Sequence, residues 1–271
     1  MNTVDLASPR PGVTVVTLNR PDRLNAMSYE LVAELHAAFD AIGRDRSTRV
    51  VVLTGAGRGF CAGLDLKDGA AMPRPTDGED GTTPSRVEAG MATQQHIATL
   101  VPHMRGLRQP IIAAVNGPAA GGGLALALAS DVRLAAPEAR FNVAFVRLGL
   151  SGCDIGVSWL LPRLIGASRA FELMLTGRLI DADEAERLGL VSRVVRDGSV
   201  VDAALDVADE IRANSPTGVW MTKEVMWSQL EVGSLQAGID LENRTQIMTS
   251  MSDDMQEAVR AFLEKRPARF T

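Results

Sequence analysis

Residues 111–123 read Ile-Ile-Ala-Ala-Val-Asn-Gly-Pro-Ala-Ala-Gly-Gly-Gly, and no other stretch narrows the possible folds as far. The apolar, partly β-branched opening has the character of a buried strand. Asn116-Gly117-Pro118 ends it, since glycine admits unusual dihedrals and proline cannot continue a hydrogen-bonded ladder. Gly121-Gly122-Gly123 then opens a run of good helix formers, Leu124-Ala-Leu-Ala-Leu-Ala129. Strand, tight turn, glycines and helix start together bring bare backbone N–H groups to a helix N-terminus, an arrangement that suits a developing negative charge. Three plainer readings compete. The uncharged residues 111–129 have the length of a membrane span, but the Asn-Gly-Pro break and the dominance of Ala and Gly over Leu, Ile and Phe weigh against one. Taken alone, the glycines are explained by close packing of helix on strand. A phosphate loop is weakest, because no Lys-Ser or Lys-Thr follows and no GxGxxG is present.

A chain of 271 residues can bury a full core, as one large domain or two small ones. Its net charge of −5 gives no support to a nucleic-acid or anionic-membrane partner, and an anionic ligand would need a local cluster of Arg and Lys. Two cysteines, Cys61 and Cys153, make no disulfide framework, so a reducing cytoplasm is expected. The first residues carry no basic segment followed by an apolar core, so secretion is not expected.

Residues 13–18 form a β-rich run closed by the turn Asn19-Arg-Pro-Asp. Ser28 caps a helix over 29–42, with Leu31, Leu35, Ala38 and Ile42 on one face and Gly43 as its stop. Residues 49–54 are apolar without alternation, the pattern of a strand buried on both faces. A helix over 86–105 leads back into the opening strand. Strands follow over 131–135 and within 141–150. After a polar turn at 151–156 comes a helix through 159–164 that Pro162 should kink or end early. Residues 170–175 are helical, Asp181 caps another short helix, and 191–195 is the last strand. Beyond Gly198 only helices follow, over 200–212, 217–230, 235–251 and 253–265. A strand-bearing core, 1–198, therefore gives way to a helical region, 199–271. Residues 69–85, rich in Gly, Pro and acidic side chains, read as a mobile loop or lid. Asp77, Glu79 and Asp80 within it lack the spacing of a Ca²⁺ loop, and no metal is expected.

A second glycine-rich loop, Gly55-Ala-Gly-Arg-Gly-Phe-Cys-Ala-Gly-Leu-Asp65, comes directly after the strand over 49–54. Alone it is as well explained by a plain turn. Paired with the loop at 116–123, it can turn N–H groups outward to complete the two backbone donors of an oxyanion hole. Other nucleophiles fare worse. No histidine is placed in sequence to activate Cys61 or Cys153, which read as small packing residues. Gly156-Val-Ser-Trp-Leu160 is no nucleophile elbow. His36, His96 and His103 lack metal-ligand spacing, and His36 reads as a surface or partly buried helix residue.

These segments resemble the crotonase superfamily, the enoyl-CoA hydratase/isomerase family. The resemblance rests on residues 20–26, 59–65, 110–123, and 175–177 through 189–192, in the right order and spacing along nearly the whole chain. It implies an α/β fold, a ClpP/crotonase spiral of ββα turns carrying the acyl-CoA site, with a C-terminal helical region used for trimer assembly. It also implies an acyl-CoA thioester as substrate, coenzyme A entering as part of it with no other cofactor, and a homotrimer or hexamer as the working form. By the same resemblance, the N–H groups of Ala62 and Gly122 would hold the thioester oxygen. Arg23, Asn25, Ala26, Gly63, Leu64, Asp65, Gly121 and Phe145 would line the substrate path. Lys265, Arg266 and Arg269 would reach the CoA phosphates, of their own or of a neighbouring subunit; a solvated basic helix end explains these three equally well.

The family's hydratases add water with two glutamates. Their positions fall here on Ala125 and Phe145, neither of which transfers a proton. Asp154 lies nearby, in Gly149-Leu-Ser-Gly-Cys-Asp-Ile-Gly156. Counted back from Leu161-Pro-Arg-Leu-Ile-Gly166, and allowing a one-residue insertion, it matches an aspartate that dienoyl-CoA isomerases use for proton transfer and 4-chlorobenzoyl-CoA dehalogenases use as nucleophile. The plainer role for Asp154 is a helix cap. A dehalogenase is disfavoured, since its tryptophan position is Phe145 and His96 falls near but not on its histidine. The reading that results is an enoyl-CoA hydratase or isomerase with Asp154 as acid/base and a backbone oxyanion hole. The alternative is an acyl-CoA-binding homologue without turnover.

Overall fold

The computed structural model describes residues 2–67 and 84–270. Nine strands occur among them: β1 Val4–Arg10, β2 Val13–Leu18, β3 Val50–Gly55, β4 Ile111–Val115, β5 Pro118–Ala120, β6 Val132–Ala135, β7 Arg140–Asn142, β8 Ile180–Asp181 and β9 Arg193–Val194. Six form a sheet in the order β1-β2-β3-β4-β6-β9, and three a smaller one, β5-β7-β8. β1 runs antiparallel to β2, while the later neighbours of the large sheet are parallel. Successive passes of the chain give one strand to each sheet and then a helix. β4 and β5 lead into helix Gly122–Ala129; β6 and β7 lead, after the short turn Ala144–Leu148, into helix Val157–Ile165. This is a spiral of ββα turns.

The run over 49–54 is unalternating because both faces of its strand are covered. Val51 and Leu53 point into one core with Val16, Leu18, Ile111, Ala113 and Val115. Val50 and Val52 point into another with Val13, Val15, Ile112 and Ala114. Period-two alternation survives in direction, not in polarity. The second core is closed by Val200, Ala204, Leu205 and Ala208 of helix Val200–Arg212. The first helix beyond residue 198 thus belongs to the body of the spiral, and the expected boundary separates it from the sheet it covers.

Two prolines act differently from expectation. The helix expected over 86–105 is two, Arg86–Ala98 and Leu100–Gly106. Pro102 has no N–H for the Ala98 carbonyl four residues back and its ring crowds that oxygen, so the helix restarts at Leu100. Pro162 neither ends helix Val157–Ile165 nor stops it early; Gly166, at φ 82°, does. The segment 69–85, expected to be a loop or lid, lies outside the described residues up to 83. Ser85 closes a capping box with Glu88 at the start of helix Arg86–Ala98.

Two polar clusters fix how the outer helices dock. Lys223, on helix Pro216–Gln229, is buried and donates to Met104 O at 3.1 Å and Gln109 O at 2.9 Å, with Asp131 Oδ2 at 3.0 Å. Asp131 also accepts from Trp227 Nε1 and from the N–H of Ile111. Burial holds the Lys223 ammonium below its ordinary pKa, against the pull of Asp131. Elsewhere, all three histidines of the chain meet where helices Arg86–Ala98 and Leu100–Gly106 cross helix Tyr29–Arg44. The Nδ1 atoms of His36 and His103 are 3.0 Å apart, and His36 Nε2 lies 3.0 Å from His96 O. His96 stacks on Tyr29 with ring centres 4.5 Å apart, and Asp40 approaches His103 Nε2 at 3.3 Å.

Lys223→Met leaves the Asp131 carboxylate without its cation and should cost about 3–5 kcal/mol in urea denaturation, part of it regained when Asp131→Asn is added. The histidine cluster sets a pH response. Burial lowers His96, with His36 adding repulsion; burial lowers His103 too, Asp40 opposing it. The unfolded chain then binds protons these residues refuse when folded. Their contribution is intact above the ordinary value of 6.5 and fades as pH falls below it. The loss of Tm between about pH 8 and about pH 5 should be smaller in His96→Gln than in the parent chain.

Candidate active site

β2, β3 and β4 run parallel, so the loops leaving their C-terminal ends gather on one side of the sheet. The loop after β3 locks into the loop after β4. Phe60 and Cys61 donate their N–H groups to Pro118 O at 3.1 and 3.0 Å, and Ala120 N–H donates to Cys61 O at 3.0 Å. The contact is too close for side chains on one partner: a Cβ on Gly123 would stand 2.0 Å from Cys61 O. A Cβ on Gly63, at φ 90°, would stand 2.8 Å from Ala120 O and 3.4 Å from Gly122 N. The triple glycine therefore serves packing and leaves amides bare at the same point.

Which amides are bare differs from the sequence expectation. Ala62 N–H donates to Leu24 O at 3.0 Å and is already engaged. Two residues on, the chain bridges Met27, whose N–H donates to Gly63 O at 2.7 Å while Asp65 N–H donates to Met27 O at 3.0 Å. That pairing turns the N–H of Leu64 away from Met27, and it meets no acceptor among the described residues. Gly122 N–H, at the first position of helix Gly122–Ala129, meets none either. The outward donors are Leu64 and Gly122. Nothing in the order Cys-Ala-Gly-Leu reveals this, because the choice is made by Met27, distant in sequence.

The other expected substrate contacts divide. Asn25, at φ 56° and fully buried, spends its amide on Ala56 O and Gly59 O and accepts from Arg20 N–H. It shapes the glycine loop from within and offers a substrate nothing. Asp65 is buried in an ion pair with Arg20 at 2.9 Å, and Arg20 also donates to Ala26 O. Arg20, not singled out beforehand, thus ties the two segments of the expected CoA path together. Arg23 is exposed at the end of the turn Pro21–Arg23. Lys265 lies just before a segment placed away from the glycine loops. Three residues on, Ala268 and Arg269 line a crevice with Gly12, Arg49 and Arg212, at the N-terminal ends of β2 and β3. The six residues of β2 separate that crevice from the glycine loops, about 20 Å at roughly 3.3 Å each. Arg266 is held by Glu257 and Glu264.

Asp154 precedes Ile155, whose side chain reaches Gly122. The Asp154 carbonyl accepts from Val157 N–H at 2.8 Å across Ile155 and Gly156, both at positive φ, 45° and 75°. Two such central residues define a primed turn, and an isoleucine there is an outlier. The outlier is held by packing: Ile155 is buried, with Cδ1 3.5 Å from where a Cβ on Gly122 would stand. A Cβ on Gly121, at φ 51°, would stand 3.4 Å from the Phe145 ring. Ala125 is fully buried and Phe145 nearly so. Both hydratase glutamate positions are apolar, and Phe145 occupies the space beside the glycines.

Neither thiol belongs to this chemistry. Burial pushes Cys61 up to about 12, Cys153 is exposed, and the histidines are committed elsewhere. A wide apolar cavity of about 830 Å³, lined by Trp159, Leu160, Met226 and Trp227, lies against Pro110 and Asp131 at the opposite ends of the strands. It holds none of the expected site residues.

Comparison with known proteins agrees with this geometry. The family model described as enoyl-CoA hydratase/isomerase matches residues 9–271. A probable enoyl-CoA hydratase of Mycobacterium tuberculosis is 44% identical over 264 residues, 97% of this chain and 90% of that one. The 1,2-epoxyphenylacetyl-CoA isomerase of Escherichia coli is 39% identical over 266 residues, 98% of this chain and 97% of that one. The crystal structure of a probable enoyl-CoA hydratase/isomerase from Mycobacterium abscessus superposes with a TM-score of 0.89 at 40% identity, covering 99% of this chain and 98% of the other. With its spiral of ββα turns, its interlocked glycine loops and these relatives along its whole length, the chain belongs to the enoyl-CoA hydratase/isomerase family of crotonase-fold enzymes.

Proposed function

We propose that this enzyme shifts a carbon–carbon double bond within an enoyl-CoA, with Asp154 moving the proton and the N–H groups of Leu64 and Gly122 holding the thioester oxygen. The observation that carries the reading is the placement of Asp154 on a strained turn packed against Gly122, while Ala125 and Phe145 replace both hydratase carboxylates. Hydration needs a water molecule activated and a proton delivered, work the family divides between two carboxylates. Isomerisation needs one. The Asp154 carboxylate takes a proton from a carbon of the acyl chain, and the electron pair moves through the chain onto the thioester oxygen. The double bond re-forms one position along as Asp154 returns the proton to another carbon. The substrate keeps its atom count and Asp154 ends ionised. Phe145 keeps apolar surface where an attacking water would otherwise be held.

The 1,2-epoxyphenylacetyl-CoA isomerase among the relatives supports a reaction of this isomerising type. CoA enters as part of the substrate, with no further cofactor. Exposed apolar side chains on the C-terminal helices, Ile247, Met248, Met251, Phe262 and Leu263, suit burial between subunits of a homotrimer or hexamer. There Lys265 would serve a neighbouring subunit's CoA rather than its own. Two unpaired cysteines suit a reducing cytoplasm.

Asp154→Asn should lower kcat by about 10²–10⁴-fold on the enoyl-CoA that the parent enzyme isomerises best. A variant as fast as the parent removes Asp154 from the mechanism, and binding without turnover across a broad panel of CoA thioesters favours the non-catalytic alternative. The oxyanion donor can be tested without disturbing the helix. Gly122 occupies the first helical position, where proline fits because no intrahelical bond is lost. Gly122→Pro should reduce kcat about 10²–10³-fold relative to Gly122→Ala. Both variants place the same Cβ near Met27 Sδ, 2.7 Å away, and only the alanine keeps the N–H.

A further inference from the structure

We propose that Gln94 is a positioning residue for Asp154, orienting its carboxylate so that one defined oxygen exchanges the proton. The inference rests on Asp154 being the proton-transfer group. Gln94 Nε2 donates to Asp154 Oδ1 at 2.5 Å, and the N–H of Ile155 donates to the same oxygen at 2.8 Å. Two donors from different directions on one oxygen fix the plane of the carboxylate. They leave Oδ2, which has no protein partner among the described residues, as the oxygen presented for proton transfer.

Both donors are themselves held. Ile155 N–H is fixed by the primed turn and by the burial of its side chain against Gly122. Gln94 lies on helix Arg86–Ala98, capped by Ser85 and Glu88 and seated through buried Ala89 and Ile97. One turn of that helix carries Gln94 on the side of Asp154 and His96 in the histidine cluster against Tyr29 and His36. The helix joins Asp154 to a fixed part of the body. Gln94 is solvent-exposed, where a hydrogen bond adds little to stability, so its consequence is geometric. Misplacing a reacting group by about 1 Å can cost roughly 10²-fold in rate.

The test compares Gln94→Leu, which removes the donor at similar size, with Gln94→His, whose Nε2 can restore a donor at similar reach. Both are assayed on the enoyl-CoA used for the parent, and Asp154→Asn is measured alongside. Gln94→Leu should lower kcat about 10–100-fold with KM changed less than about twofold, and Gln94→His should regain most of the loss. The proposal is overturned if Gln94→Leu matches the parent, if the change falls in KM alone, or if His and Leu lose equally. Asp154→Asn separates the two readings. If it retains the full rate, the Asp154 assignment fails and this one with it; if it is slow while Gln94→Leu is not, only the role of Gln94 falls.

Discussion

The active site depends on one steric fact: the carbonyl of Cys61 occupies the place where residue 123 would carry a Cβ. Only glycine lets the loop after β3 lie directly on the loop after β4. That contact sets the Phe60 and Cys61 amides on Pro118 and the Ala120 amide on Cys61. Once these bonds are made, the remaining amides have few directions left. Met27 takes one side of the chain at 63–65, and the start of helix Gly122–Ala129 presents its own unpaired N–H on the other. The outward N–H groups of Leu64 and Gly122 are thus a by-product of backbone packing, with no side chain spent on them.

Much of this was legible because it is written in local patterns. The unalternating run at 49–54, the Asn-Gly-Pro break and the Ser and Asp caps each reflect forces acting within a few residues. They located strand β3, the turn at 116–118, and the helices beginning at Tyr29 and Ala182. The strand β1 was not legible, since Val4 is its one buried residue and the rest are exposed or half-buried. Its identity comes from pairing with β2. The division of 86–105 at Thr99 follows from Pro102, which the helical pattern of neighbouring residues masked.

The site shows the same division. Its glycine loops were visible as composition, but which amide faces outward was not, because Met27 decides between Ala62 and Leu64. Asn25 and Asp65 are polar residues in a substrate-lining segment, and from sequence a contact with ligand and a contact with the loop look alike. Burial separates them: Asn25 has three backbone partners and no exposed surface. Gln94 gave no sequence signal, since a polar residue on a helix surface is unremarked until its partner is placed opposite.

The left-handed isoleucine in the turn after Asp154 makes site assembly conditional. Holding Ile155 there costs about 1–3 kcal/mol, and burying its side chain returns a similar amount, about 1.5–3 kcal/mol. The return depends on the surface that Gly122 leaves open, which exists only when the glycine loops have closed. Before that closure the turn has no reason to form, and Asp154 has no fixed direction. The turn that carries Asp154 and the closed glycine loops therefore arrive together, like two keys to one lock: a chain that has folded one without the other is strained rather than half assembled.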